Sequence, residues 1–167
     1  MKAVLVVAVL AASTTAFADT ATGVFDFQVG DTPGAYVLHD EAYSVTFPMK
    51  PQVKKMDSDA ADGTKVYSLT ALAGNDDVFY GMSVTPVGRE LTYNSKKGLD
   101  MARDGMMNAV KAKVTGTKPI KMAGRDGRAV TATVPVDGRT GYLEMHEMWD
   151  PDHRAVVDLS AVADPSA

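Results

Sequence analysis

The 167-residue sequence contains no cysteine. That absence excludes a thiol nucleophile, a CxxC redox pair, a c-type haem attachment and a lipid-modified cysteine. A domain of this size can build an adequate core without disulfides. Long apolar runs are also lacking. The apolar stretch at residues 3–12 falls short of the roughly 20 residues that a membrane-spanning helix needs, and no later run approaches it. Positive charge is not in excess: 17 Lys and Arg stand against 21 Asp and Glu, a formal net charge of −4. The basic residues form the pairs Lys54-Lys55 and Lys96-Lys97 and an interrupted run of Lys111, Lys113, Lys118 and Lys121. A nucleic-acid backbone calls for a clustered basic patch, so no nucleic-acid partner is expected. No serine stands in a G-x-S-x-G elbow, and there are only three histidines.

What is present begins with a targeting pattern. Residues 1–18 combine Lys2, the apolar run and the small-residue site Ala16-Phe17-Ala18. This reads as a secretory signal peptide cut before Asp19. The expected mature chain has 149 residues (167 − 18) and a charge of −5 once Lys2 is removed. The expected organisation is a signal peptide over 1–18, one domain over 19–162 and a flexible tail over 163–167. The expected location is periplasmic or secreted, with no transmembrane span.

Hydrophobic periodicity sets the elements. Val24–Val29 alternates as an opening strand, ended by a turn at Gly30-Asp31-Thr32-Pro33-Gly34. Tyr43, Val45 and Phe47 alternate with Ser44 and Thr46 until Pro48 and Pro51 stop the strand. Residues 52–63 read as a mostly polar excursion. Residues 66–72 resume an extended pattern, and Gly74-Asn75-Asp76-Asp77 is a hairpin signal before a strand carrying Val78, Tyr80, Met82 and Val84. These three strands suggest an antiparallel meander. From Ser95 to about Lys113 the apolar positions Leu99, Ala102, Met106, Ala109 and Val110 fit one face of a helix, with Asn94 or Ser95 as its cap. Gly116 and Pro119 end it. Val130, Ala132, Val134 and Val136 alternate up to Asp137-Gly138, and strands over 142–149 and 155–159 follow. The order of strands, one helix and more strands predicts an α+β domain: an antiparallel sheet with the mid-chain helix packed on one face.

The strand ending in Phe47-Pro48, with Pro51 three residues on, resembles the opening of small exported bacterial domains of the PsbP-like α/β/α-sandwich group. The helix around Leu99-Asp100 and the run Ile120…Gly124-Arg125-Asp126-Gly127-Arg128 sit where that pattern places them. The resemblance covers roughly residues 25–159. The group's closing helix has no counterpart here, which leaves an element such as Val24–Val29 to cover part of the sheet. The resemblance implies an accessory or binding role and no catalytic residues.

Candidate chemistry concentrates in one hairpin. Glu144, His146 and Met148 share a face if their strand is regular, and His153 lies across a turn from Asp150 and Asp152. Imidazole and carboxylate suit zinc, and thioether suits cuprous copper. The candidate metal ligands are therefore His146, His153, Glu144, Met148 and Asp150. The competing account is a hairpin with a charged outer face and a turn histidine. His39 reads as a solvated loop residue. Gly124-Arg125-Asp126-Gly127-Arg128 reads as a tight turn with flanking arginines rather than an anion site, since it lacks the P-loop lysine and a following helix. Asp57-Ser58-Asp59 lacks the glycine and glutamate of a calcium loop. With no catalytic constellation, the expectation is a non-enzymatic exported domain, without a required cofactor, that binds an envelope protein or small ligand. The alternatives are a copper or zinc protein using the 144–153 hairpin and a hydrolase of unrecognised type.

Overall fold

The structure is a computed structural model, and it describes residues 28–29, 36–39, 42–59, 65–75, 78–88, 94–136 and 138–163. The expected signal peptide, most of the opening strand, its following turn and all but residue 163 of the expected tail lie outside the described residues. Ten strands and one helix follow in the order β1 (Gln28–Val29), β2 (Tyr36–His39), β3 (Ser44–Phe47), β4 (Gln52–Asp59), β5 (Lys65–Gly74), β6 (Val78–Pro86), α1 (Ser95–Ala109), β7 (Lys113–Met122), β8 (Arg125–Val136), β9 (Arg139–Asp150) and β10 (Ala155–Ala163). Strands β4 to β10 form a seven-stranded antiparallel sheet in the order β4-β5-β6-β10-β9-β8-β7, and β1-β2-β3 form a separate small sheet.

This corrects the expected α+β fold: the described residues form a β-rich fold, mostly antiparallel sheet, with one helix. Besides the short β2, two of the added strands are polar. β4 occupies the supposed polar excursion, and β7 occupies the stretch expected only to end the helix. Both are edges of the large sheet. An edge strand has less apolar surface to bury, so the alternation that reveals a strand is weak in it. β7 is exposed along most of its length. The strand ending at Phe47 is not part of the expected meander, because it pairs with β2 in the small sheet.

Each face of the large sheet has its own cover. On one face the register lines up Met148, Val157, Val84 and Leu69 across four strands. Phe47 of β3 inserts into this layer beside Ala71, Ala73, Met82 and Ala155, with Tyr36, Tyr43, Val45 and Met49 packed around it. The opposite face receives α1. Met106, Met107 and Val110 pack on Val130, Ala132, Val134, Leu143 and Met145, while Leu99 and Ala102 pack on Val156 and Trp149. The helix starts as its sequence indicates: the Asn94 side chain accepts the Lys97 backbone N–H at 2.9 Å.

The hairpin turns also follow local chemistry. The Asn75 side chain accepts the Val78 N–H at 2.9 Å, and Gly138 adopts φ +77° between β8 and β9. The β7 edge carries Lys113, Lys118 and Lys121, Pro119 and a register shift between Val114 and Gly116. Lysine, proline and bulges are the means by which an exposed edge avoids pairing with another chain.

Candidate functional site

The five expected metal ligands lie on β9 and the turn after it, and the structure divides them. Glu144 and His146 stand on the outer part of the face that carries Phe47, and their side chains meet at 2.7 Å. Met148, next along that face, is buried in the apolar layer under Phe47. Asp150 and His153 form a second group at the far end of the strand, where His153 Nδ1 lies 2.8 Å from Asp150 Oδ2. Met148 thus separates two pairs, and a strand advances about 3.3 Å per residue. Among the described residues no group of three or more His, Cys, Asp or Glu side chains is placed to hold a metal ion. His39 lies on β2 opposite Ser44 in register.

The Asp150 group is a built polar cluster. Asp150 is buried, and its carboxylate accepts the Tyr43 hydroxyl at 2.9 Å and the Asp152 backbone N–H at 3.0 Å. Arg125 reaches it at 3.2 Å and Asp152 at 2.8 Å. The Tyr43 and His153 rings meet edge-on at 5.6 Å. Burial alone would raise the Asp150 carboxyl. The hydrogen bonds from His153, Tyr43 and the two turn backbone N–H groups outweigh that and hold it below the ordinary carboxylate range. The aspartate thereby fixes the β9–β10 turn and ties it to Tyr43, just ahead of β3. An Asp–His pair of this kind can orient an imidazole for proton transfer. Among the described residues, however, no serine hydroxyl bonds to either His146 or His153.

The arginines of the Gly124–Arg128 run are used internally. The turn itself is Ala123-Gly124, with φ values of +48° and +78°. Arg125 serves the Asp150 cluster on one face. Arg128 points to the other face, where it pairs with Glu147 and with Asp100 of α1.

That second pairing opens a feature the sequence reading missed. On the helix-covered face, a polar row crosses five strands: Arg128, Glu147, Asp158, Ser83 and Thr70 are successive cross-strand neighbours. Glu147 is 0% exposed and Asp158 3%. Burial raises the Glu147 carboxyl despite Arg128 beside it, and burial next to the Glu147 charge raises Asp158 further. Asp100, at the helix surface, is lowered by its hydrogen bond from Arg128. One sequence signal could have found the row. Asp158 interrupts Ala155-Val156-Val157 and Leu159 in a strand with apolar residues on both faces, so its side chain had to be buried.

The outer part of the other face remains open. Tyr142 is 61% exposed, and Glu144 and Thr131 beside it are also exposed. His146, Thr133 and Ala161 are partly so. Among the described residues no helix is long and apolar enough to cross a membrane.

No family model and no curated protein sequence matches the chain. Among solved structures, a crystal structure of a protein of unknown function, PA94 from Pseudomonas aeruginosa, is similar at 12% identity over 84% of each chain, with a TM-score of 0.36. A likeness of that size carries no argument about fold or function, and none of these findings bears on the PsbP-like resemblance.

Proposed function

We propose that the chain is a non-enzymatic binding or accessory domain that acts after export, in the periplasm or outside the cell, and that its contact surface is the open sheet face around Tyr142. The observation that carries this reading is the exposure of Tyr142, at 61%, on a regular strand between Thr133 and Ala163. A rigid aromatic side chain with a polar tip gives large contact area at little entropic cost, which is why tyrosine is enriched where proteins bind. Glu144 and His146, already hydrogen-bonded to each other, add a polar rim. Export is supported by the n-region, apolar run and Ala16-Phe17-Ala18 site.

Two experiments test it. N-terminal sequencing of the protein recovered from the envelope or medium should give Asp19 as the first residue; an intact Met1 in the cytoplasmic fraction would refute export. A photo-crosslinking residue placed at Tyr142 or Thr131 should yield a discrete adduct in cells. The same residue at Asn108, exposed on α1, should not. Equal labelling at all three positions would refute the assigned surface.

A further inference from the structure

The polar row under α1 has an unbalanced interior. Glu147 and Asp158 are directly opposed cross-strand neighbours on the helix-covered face, and both are buried. As ionised carboxylates they could only accept hydrogen bonds. In that state Glu147 Oε2 and both Asp158 oxygens accept no hydrogen bond although all three are buried, and Arg128 Nη2, buried beside them, donates none. A buried acceptor without a donor and a buried charge without a partner are each strongly unfavourable.

The groups facing the pair leave it short of positive charge. From β8 comes Arg128, which binds Glu147 through Nε and Asp100 through Nη1. From α1 come Asp100 and Arg103, and Arg103 is engaged by Asp104 at 2.8 Å and Asp100 at 3.5 Å. Lys96 acts on Asp100 from the solvent side. From β6 and β5 the facing groups are the uncharged hydroxyls of Ser83, Thr85 and Thr70, and Lys54 stands exposed at the end of the row. Asp158 forms no ion pair among the described residues, and the positive charge that acts on it is that of Arg128, already shared by Glu147 and Asp100. One bound proton eases both deficits: it removes one negative charge and, shared between the two carboxyls, engages two of the three oxygens.

We propose that Glu147 and Asp158 hold a single proton between them, and that this proton latches α1 onto the sheet, so that the helix docks most firmly at acid pH and loosens as pH rises. The helix is the element that responds. Arg128 links Glu147 to Asp100 on α1, and the apolar contacts of Leu99 and Ala102 lie on Val156 and Trp149, two strand positions from Asp158 and Glu147. The sign follows from linkage. Both carboxyls sit above their ordinary range in the folded protein, so between about pH 4 and their folded values the native state holds a proton that the unfolded state has released. Stability is greatest at the acid end of that window and falls as pH rises, about tenfold in the folding equilibrium constant per pH unit for one proton.

Trp149, the single tryptophan, packs beside the helix and reports its docking. Urea unfolding of the purified protein, followed by Trp149 emission from about pH 5 to 9, should show that tenfold loss per unit within the window. Asp158→Asn supplies the donor permanently, and its profile should be flat across the same range. Amide protection factors over Leu99–Met107, corrected for base-catalysed intrinsic exchange, should fall with pH in the wild type and not in the variant. Parallel profiles for the two proteins would overturn the proposal. If Asp158→Asn does not fold, carboxyl-carbon chemical shifts of the wild type decide the matter: titration of both Glu147 and Asp158 in the ordinary carboxylate range would overturn it. A calcium-dependent gain in wild-type stability at fixed pH, absent from Asp158→Asn, would make the pair a cation site and would equally overturn it.

Discussion

Replacing Asp150 by alanine tests whether one carboxylate holds the β9–β10 turn to the segment before β3. The side chain accepts bonds from Tyr43 at 2.9 Å, His153 at 2.8 Å and the Asp152 N–H at 3.0 Å. A hydrogen bond to a charged group contributes about 1.5–3 kcal/mol when its partners are buried. Tyr43 and His153 are partly exposed and would rehydrate after the change. Discounting for that, and leaving Arg125 out altogether, Asp150→Ala should destabilise by about 3 kcal/mol and Asp150→Asn by about 2 kcal/mol. For a domain near 150 residues, 3 kcal/mol lowers Tm by about 6–12 °C. Tyr43→Phe alone should remove about 1 kcal/mol, and less than that in the Asp150→Ala background, because the bond is already gone. The pH dependence has a defined sign. The Asp150 carboxyl lies below its ordinary range in the folded state, so its contribution is present above about pH 4 and is lost as pH falls through the folded value. Asp150→Asn should therefore flatten the acid side of the stability curve. A loss under 1 kcal/mol for Asp150→Ala, measured by urea unfolding at neutral pH, would refute the structural role assigned to the cluster.

Three further outcomes are expected. Arg128→Met leaves Glu147 buried without its cation and should destabilise by about 3–5 kcal/mol at neutral pH, with Arg128→Met/Glu147→Leu recovering most of the loss; calorimetry of the two variants checks this. Met106→Ala opens a cavity between α1 and the sheet and should lower stability by about 2–4 kcal/mol in urea unfolding, whereas Asn108→Ala on the exposed side should change it by less than about 0.5 kcal/mol. Lys118→Val/Pro119→Val strips the guards from the β7 edge and should produce dimers or larger species on light scattering, while the parent protein shows none of these edge-paired species at the same concentration.

How far the sequence could be read depended on which side of each strand met the core. α1 was legible because Leu99, Ala102, Met106 and Val110 repeat at helical spacing and Asn94 caps it. β8 and β9 were legible from Val130–Val136 alternation and Asp137-Gly138, although β8 begins five residues earlier, at Arg125. β4 and β7 were not, because edge strands carry lysines and threonines where central strands carry valine. That is the reason a β-rich molecule read as a mixed one. The candidate sites show the same limit. Sequence spacing brought Asp150 and His153 together across one turn, where contact is local. The union of Arg128, Glu147, Asp158 and Ser83 depends on the register of four strands, and local periodicity says nothing of that register.

The strand order carries a consequence for how the chain folds. β10, the last of the described strands, lies in the middle of the large sheet, with β6 on one side and β9 on the other. Before it is in place, β4-β5-β6 and β7-β8-β9 are two separate three-stranded hairpin sets, each with a raw inner edge. Local hairpins close early because their loops are short, whereas the β6–β10 pairing spans most of the described chain and must wait. Closure of the large sheet therefore waits on Ala155–Ala163. A protein released vectorially, from a ribosome or through a membrane, stays in two unzipped halves until Ala155–Ala163 arrives to join them, and that interval is when it is most exposed to proteases and to its own copies.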